Sequence, residues 1–278
     1  MVSPPGPDGR MDAAEARRGC DLLYNNGVLW VEEAVPRVLT EALVRLVDEK
    51  MQNKDGNQYF TVQYFKNRED MALDWEAQPV RDVTMYAIKF LSPVLEELLG
   101  AEARLVEFSC LISHPGARAQ PAHADCSNTT LQCADTAHLY SVFVALEDIT
   151  SALGPLTVWP ETHDYFQLLL DPYQLLQREP GEILGQFQHE EDEDAERAQR
   201  AKEDPEGSAE ALAARKALYS QVKMTVPRGS LVVMDGRTYH RGGANTAATR
   251  RPVFYFTFAS ERGLLPEGST YSISAAMK

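Results

Sequence analysis

Cysteine is scarce in this sequence of 278 residues. No two cysteines form a C-x-x-C pair, and they lie too far apart for a disulfide framework. The four are Cys20, Cys110, Cys126 and Cys133. Because isolated thiols are typical of reducing compartments, we expect free cysteines and a cytoplasmic location.

Long apolar runs are also missing from the chain. No segment approaches the roughly 18–20 consecutive apolar residues that a membrane-spanning helix needs. The opening stretch, MVSPPGPDGRMDAAEARRG, lacks the apolar centre of a secretory signal. We therefore predict no membrane segment, and we predict that residues 1–20 form a disordered tail.

Positive charge is in short supply, since 27 basic residues face 41 acidic ones and the net charge is −14. Such a chain repels phosphate backbones and anionic membranes, so we expect neither nucleic acid nor a membrane as a partner. Half of the excess is local, because the run 189–210 contains ten acidic and three basic residues. We predict that this acidic run belongs to a solvated insertion, helical or disordered, over residues 165–220.

Helical patterns occupy the first third of the sequence. Thr40 is placed to cap a helix that continues to about residue 53. A longer helix is predicted from about residue 79 to residue 99, where Gly100 ends it. Outside the insertion, residues 21–278 are predicted to form a single domain.

Strand patterns replace helical ones after residue 104. Six segments are short, β-branched or aromatic, and separated by turn residues. They are residues 104–113, 138–148, 155–160, 222–226, 230–236 and 251–260. Because regular helices do not alternate with them, an antiparallel sandwich or jelly roll of the α+β class is expected, with the helices on one face.

Two histidines and one aspartate stand in positions that suit a metal site. His123 and Asp125 form an H-x-D pair, and side chains two residues apart in an extended segment point to the same side. His240 lies far away in sequence, between two predicted strands. Two imidazoles and one carboxylate on one face of an ion leave positions open, as in non-haem Fe(II) sites.

The H-x-D pair alone is weak, because an ordinary surface loop can contain it. A third element strengthens the metal hypothesis: Arg251 begins a predicted strand, and a guanidinium can bind a carboxylate through two hydrogen bonds. An error of one residue would exchange Arg251 with Arg250. Strand alternation places Val253, Tyr255 and Thr257 on the side of Arg251, and Phe254, Phe256 and Phe258 on the other side.

These segments together resemble the phytanoyl-CoA dioxygenase-like (PhyH) family of Fe(II)/2-oxoglutarate-dependent oxygenases, over roughly residues 104–260. The landmarks occur in order as QPAHAD, SVFVALEDITSALGPLTVWPETH and PRGSLVVMDGRTYHRGGANTAATRRP. The resemblance implies a double-stranded β-helix, also described as a jelly roll or cupin-like barrel. It also implies that His123, Asp125 and His240 bind Fe(II), and that Arg251 binds 2-oxoglutarate.

The sequence departs from the family pattern at two places. PETH replaces the usual Pro-Gly-Ser-His turn, so His163 is expected to pack rather than to bind metal. Gly242 stands where the family often has a small hydroxylated residue that helps to hold 2-oxoglutarate. Another donor is then needed, and the candidates are Thr238, Tyr140, Ser141 and Asn128.

The resemblance implies hydroxylation of an unactivated C–H bond in a small molecule, with O2 as oxidant and release of succinate and CO2. Asp125 favours hydroxylation over halogenation, because related halogenases have a small residue at that position. Arg68, Arg118 and Lys66 are candidates for contact with an anionic group. A metal-dependent hydrolase or isomerase and a non-catalytic binding protein remain open alternatives, and a monomer or a dimer is expected.

Overall fold

The computed structural model describes residues 1–6, 9–53, 60–62, 67–120, 122–125, 139–163 and 221–260. Within these residues the helices are α1 (Ala13–Asn26), α2 (Arg37–Gln52) and α3 (Gln78–Leu99). The first strands are β1 (Val28–Val31), β2 (Phe60–Val62), β3 (Arg68–Ala72), β4 (Arg104–Ser113) and β5 (Leu139–Ala145). The later strands are β6 (Leu156–Trp159), β7 (Val222–Lys223), β8 (Leu231–Asp235), β9 (Tyr239–Gly242) and β10 (Arg251–Ala259).

Helix α1 begins inside the segment predicted to be a disordered tail, so that prediction is wrong from residue 13 onward. The Asp12 carboxylate accepts the first free N–H groups of the helix, at 2.8 and 2.9 Å. Leu23 lies on the buried face of the helix. Gly27 ends the helix with a φ of 71°. A good N-cap and a buried stripe outweigh the proline-rich start that favours disorder.

The other two helices agree with the sequence patterns except at one end. Helix α2 begins at Arg37, so Thr40 lies in its first turn and is not the cap. The Thr40 hydroxyl instead donates to the Arg37 carbonyl at 2.9 Å. Helix α3 ends at Leu99 as predicted, and the following Gly100 has a φ of 81°.

Two antiparallel sheets follow from the strand segments. The larger sheet has the order β1-β8-β5-β10-β4-β3-β2, and the smaller one has the order β7-β6-β9. Phe254, Phe256 and Phe258 project from one face of β10 into the main core, which also contains buried residues of all three described helices. The opposite face of β10 carries Arg251 and its alternate neighbours toward the smaller sheet.

Between the two sheets lie a second apolar cluster and a cavity. Val158, Met224 and Val226 pack there against Val232 of the larger sheet. The cavity has a volume of about 290 Å³ and is lined from both sheets.

The predicted insertion 165–220, with its acidic run, lies outside the described residues. None of the described helices has the length and apolar character to cross a membrane.

Candidate metal centre and co-substrate cavity

His123 and His240 lie side by side because their backbones pair. The N–H of each donates to the carbonyl of the other, at 2.9 and 2.8 Å, as in an antiparallel bridge. The two imidazole rings are consequently 4.5 Å apart between centroids. A histidine in the segment 122–125 and a histidine on β9 are thus brought together across 117 positions of sequence.

Asp125 completes a compact group of three donors. Its Oδ1 lies 3.5 Å from His240 Nε2 and 3.9 Å from His123 Nε2. One ligand atom from each residue lies within 4.8 Å of the others, a spacing that a single metal ion can bridge. The side chains of His123 and Asp125 are 42 % and 36 % exposed, whereas that of His240 is only 6 % exposed.

The ring of His240 is oriented for metal binding. Its Nδ1 lies 2.9 Å from the Thr238 carbonyl oxygen. A carbonyl can only accept, so Nδ1 carries the proton and Nε2 presents its lone pair to the cluster. Burial lowers the pKa of His240 and outweighs the charge of Asp125, which raises it, so the neutral form that binds a metal is favoured.

The donor set fits a divalent transition metal. Two neutral imidazoles and one carboxylate are the ligands of non-haem Fe(II) sites, and three protein ligands leave coordination positions for other molecules. Ca²⁺ and Mg²⁺ prefer oxygen ligands, whereas two of the three donors here are imidazole nitrogens.

Arg251 lies in the same cavity and is only 5 % exposed. Its Nε is buried without a hydrogen-bond partner, and the guanidinium forms no ion pair with any residue that the structure describes. Burial, and secondarily the nearby charge of Arg68, lowers the pKa of Arg251 to about 9. A buried cation without a counter-ion is costly, so this end of the cavity is suited to an anion.

Arg68 stands beside Arg251 and was only one of several basic candidates in the sequence. Both residues pair with Ser113 of the intervening strand β4, so they are two strands apart at the same level. Arg68 donates to the carbonyl oxygens of Arg118 and Gly243 at 2.9 and 2.5 Å. Burial lowers its pKa to about 10. Lys66, another candidate, lies outside the described residues.

Gly242 leaves room for this arrangement. A Cβ atom at that position would lie 2.7 Å from Gln120 Oε1 and 2.9 Å from Arg68 Nη1. The Gln120 Oε1 atom also accepts the Gly242 N–H at 2.9 Å. The space beside this glycine is therefore occupied by two other polar side chains that line the cavity.

A group of acidic and hydroxylated residues lines another part of the cavity, and sequence patterns did not identify it. The Tyr255 hydroxyl lies 3.1 Å from both Asp70 Oδ2 and Glu107 Oε1. Ser109 donates to Asp70 Oδ1. Burial, followed by the charge of Asp70, raises the pKa of Glu107 to about 7, and burial also raises the pKa of Asp70.

Two of the predicted co-substrate donors do not reach the cavity. The Thr238 hydroxyl is fully buried and donates to the Gly27 carbonyl at 2.9 Å. Tyr140 points into the core beneath the helices, where its phenol hydrogen-bonds to Asp235. Its neighbour Ser141 does line the cavity and lies 3.1 Å from the Thr257 hydroxyl. Asn128 is outside the described residues.

His163 occupies a packing position. It is 3 % exposed, and its Nε2 lies 2.9 Å from the Tyr24 carbonyl oxygen of α1. It belongs neither to the three-donor cluster nor to the cavity lining.

Solved structures similar to this chain include three with named activities. The epimerase SnoN in complex with Fe3+, alpha ketoglutarate and nogalamycin RO has 15 % identity and a TM-score of 0.61, with 95 % of this chain and 94 % of that chain covered. The non-heme alpha ketoglutarate dependent carbocyclase SnoK has 14 % identity and a TM-score of 0.61, with 96 % and 90 % covered. EctD from S. alaskensis, with 2-oxoglutarate and 5-hydroxyectoine, has 14 % identity and a TM-score of 0.60, with 95 % and 85 % covered.

These likenesses show that the fold is shared, and the match of a family model goes further. The model for Phytanoyl-CoA dioxygenase (PhyH) matches residues 23–253. That range includes the last turn of helix α1, every described strand up to the start of β10, the three-donor cluster and Arg251. The chain therefore belongs to the phytanoyl-CoA dioxygenase (PhyH) family.

Proposed function

We propose that this chain is an Fe(II)/2-oxoglutarate-dependent dioxygenase that hydroxylates a C–H bond of a small molecule and releases succinate and CO2. The observation that carries the proposal is the meeting of two features in one cavity. The cluster of His123, Asp125 and His240 can bind the metal. Arg251, which has no anionic partner among the described residues, can bind the far carboxylate of 2-oxoglutarate.

The three ligand residues define what the protein contributes at the metal. When bound, the iron supplies the activation of O2 that organic side chains cannot provide. His240 is held by the Thr238 carbonyl, so its Nε2 keeps one direction. Asp125 contributes a negative ligand, and its presence supports hydroxylation over halogenation.

The two arginines define the co-substrate end. Arg251 lines the cavity and has a buried Nε without a hydrogen-bond partner, and a guanidinium matches the two oxygens of a carboxylate. Arg68 adds a second positive charge at the same level of the sheet. A dicarboxylate would bind the two arginines through one carboxylate and reach the metal with its other end.

The remaining wall limits water at the buried end of the cavity, where Arg251 is only 5 % exposed. Phe143, Leu156, Met224 and Val226 give it an apolar surface between the sheets. Water exclusion strengthens the ionic contacts at the arginines and limits side reactions. We also infer that the two sheets form the double-stranded β-helix of this family, which the antiparallel order and the apolar layer between the sheets support.

The direct experiment is an assay of succinate formation from 2-oxoglutarate with Fe(II) and O2, in the wild type and in His123→Ala. Many such enzymes turn over slowly without substrate, so a weak signal that the variant loses is the expected result. Absence of succinate in the wild type, with no metal-dependent rise in Tm on addition of 2-oxoglutarate, would overturn the proposal.

The reaction type needs a separate readout, because the similar structures are named as an epimerase and a carbocyclase as well as EctD. Product mass separates these outcomes once a substrate is found. Hydroxylation adds one oxygen atom derived from O2, epimerisation leaves the mass unchanged, and ring closure removes two hydrogen atoms. Labelled oxygen gas therefore tests the hydroxylase assignment directly.

A further inference from the structure

Asp70 and Glu107 are two cavity-lining carboxyl groups that have no cationic partner among the described residues. They are joined through the Tyr255 hydroxyl, which lies 3.1 Å from each. Their other contacts are to hydroxyl groups, including that of Ser109 with Asp70. A tyrosine has one hydroxyl proton, so it can donate to only one of the two carboxylates at a time.

The same cavity contains two guanidinium groups that do not neutralise these carboxylates. Arg68 is two residues before Asp70 on β3, and both side chains line the cavity. Arg68 nevertheless donates to carbonyl oxygens, and Arg251 keeps a buried Nε without a partner. Among the described residues, neither arginine therefore forms an ion pair with Asp70 or Glu107, although all four line the same cavity.

Separate burial of these charges is costly in the ligand-free chain. Glu107 limits the cost because burial and the charge of Asp70 raise its pKa to about 7, and a bound cation would favour its ionised form. Removing a charge from water without a counter-ion costs several kcal/mol in order of magnitude, and pairing of Arg68 with Asp70 would reduce that cost. Arg251, which has no anionic partner in the described part of the chain and keeps an unbonded buried Nε, independently indicates that the cavity receives a charged ligand. The dicarboxylate co-substrate would neutralise Arg251 and Arg68. The two carboxyl groups, which form the anionic side of the cavity, would still lack a counter-ion among the described residues.

We propose that Asp70 and Glu107, held together by Tyr255, bind a cationic nitrogen of the substrate, such as an ammonium, amidinium or guanidinium group. The proposal rests on the proposed function, because it assigns the anionic side of the same cavity to the substrate. Asp70 and Glu107 line the same cavity as the three metal-binding candidates, so a substrate held by these carboxyl groups shares that cavity with the metal. A substrate anchored there by its nitrogen would present nearby C–H bonds to the metal.

The test measures the Tm of the chain loaded with Mn(II) and 2-oxoglutarate, since Mn(II) allows binding without turnover. Propylammonium is compared with propionamide and propionate at matched concentration and ionic strength. We expect a saturable rise in Tm with propylammonium alone. In Glu107→Gln and Asp70→Asn, the half-saturating concentration should rise about tenfold or more, because the charge is lost and the shape is kept.

The exposed residue Glu96 on α3 provides a matched control, and Glu96→Gln should respond to propylammonium as the wild type does. Circular dichroism checks that each variant is folded, and the pair of variants guards against a fold defect in one of them. The proposal is overturned if the wild type shows no response to propylammonium, if propionamide acts equally well, or if both variants keep the full response.

Failure of this inference is distinguishable from failure of the proposed function. The rise in Tm caused by Mn(II) with 2-oxoglutarate alone is measured first, in the wild type and in Glu107→Gln. If that rise is present and the propylammonium response is missing, only the substrate inference is wrong. If the first rise is missing in the wild type, the proposed function itself fails.

Discussion

His123 and His240 exchange two backbone hydrogen bonds, so strand pairing itself sets the distance between the two imidazoles. Two ligands that are joined in this way do not depend on a flexible loop for their spacing. Asp125 follows two residues after His123 and is carried to the same side by the extended backbone. The three donors are thereby arranged before any ion binds.

Replacement of His240 should therefore remove metal binding while the paired backbone keeps the fold. We expect His240→Ala to lose the rise in Tm that Mn(II) causes in the wild type. The matched control is His163→Ala, because His163 is also buried but bonds to the Tyr24 carbonyl oxygen. That control should lower the Tm and keep the metal-dependent rise. An equal loss of the rise in both variants would contradict the assignment.

Arg251→Met should stabilise the ligand-free protein and abolish its response to 2-oxoglutarate. A buried guanidinium that has no ionic partner among the described residues is replaced by an apolar side chain of similar length, which should increase the free energy of unfolding by about 1 kcal/mol. Loss of the same group should weaken 2-oxoglutarate binding by about 2–5 kcal/mol. Calorimetric titration and urea unfolding measure the two effects.

The neighbouring residue gives a control for that substitution. Arg250 faces the other way and pairs with Asp48 and, at 3.6 Å, with Glu147. We expect Arg250→Met to lower stability slightly and to leave 2-oxoglutarate affinity unchanged. If Arg250→Met is the variant that loses co-substrate binding, the strand register assigned to the anion site is wrong.

Gly242→Ala tests the space beside the arginines. The added Cβ would lie 2.7 Å from Gln120 Oε1 and 2.9 Å from Arg68 Nη1, so these side chains must move. Because Arg68 contributes charge to the co-substrate end, we expect weaker binding of 2-oxoglutarate and a modest loss of stability of about 1 kcal/mol. Unchanged affinity in a calorimetric titration would show that Arg68 does not act on the co-substrate.

Local patterns were sufficient for the parts of the site that depend on one strand. Alternation along β10 correctly predicts that Arg251 and Tyr255 share a face, with Phe254 on the other. The same alternation excludes Tyr140 from the cavity once Ser141 is placed there, because adjacent residues on β5 face opposite sides of the sheet.

Contacts between distant strands could not be predicted in this way. Asp70 and Glu107 meet at Tyr255 only because β3, β4 and β10 are adjacent in the larger sheet. Their sequence surroundings give no sign of it, since each is a charged residue in a polar or mixed segment. The side-by-side position of Arg68 and Arg251 depends on the same sheet order.

Glu107 should make stability depend on pH in a defined window. Burial, followed by the charge of Asp70, raises its pKa from 4.5 to about 7 in the folded chain. Between these values the unfolded chain loses this proton while the folded chain keeps it, so stability falls as pH rises from about 4.5 to about 7. The contribution is at most about 3 kcal/mol and levels off above the folded pKa.

Glu107→Gln removes this titration and keeps a side chain of the same shape. We therefore expect the variant to be more stable than the wild type near neutral pH, with a difference that shrinks as the pH is lowered toward 4.5. Urea unfolding at several pH values from about 5 to about 8 measures that difference. Glu96→Gln, on the exposed face of α3, should run parallel to the wild type throughout. A difference between Glu107→Gln and the wild type that stays constant with pH would mean that Glu107 is already ionised in the folded chain.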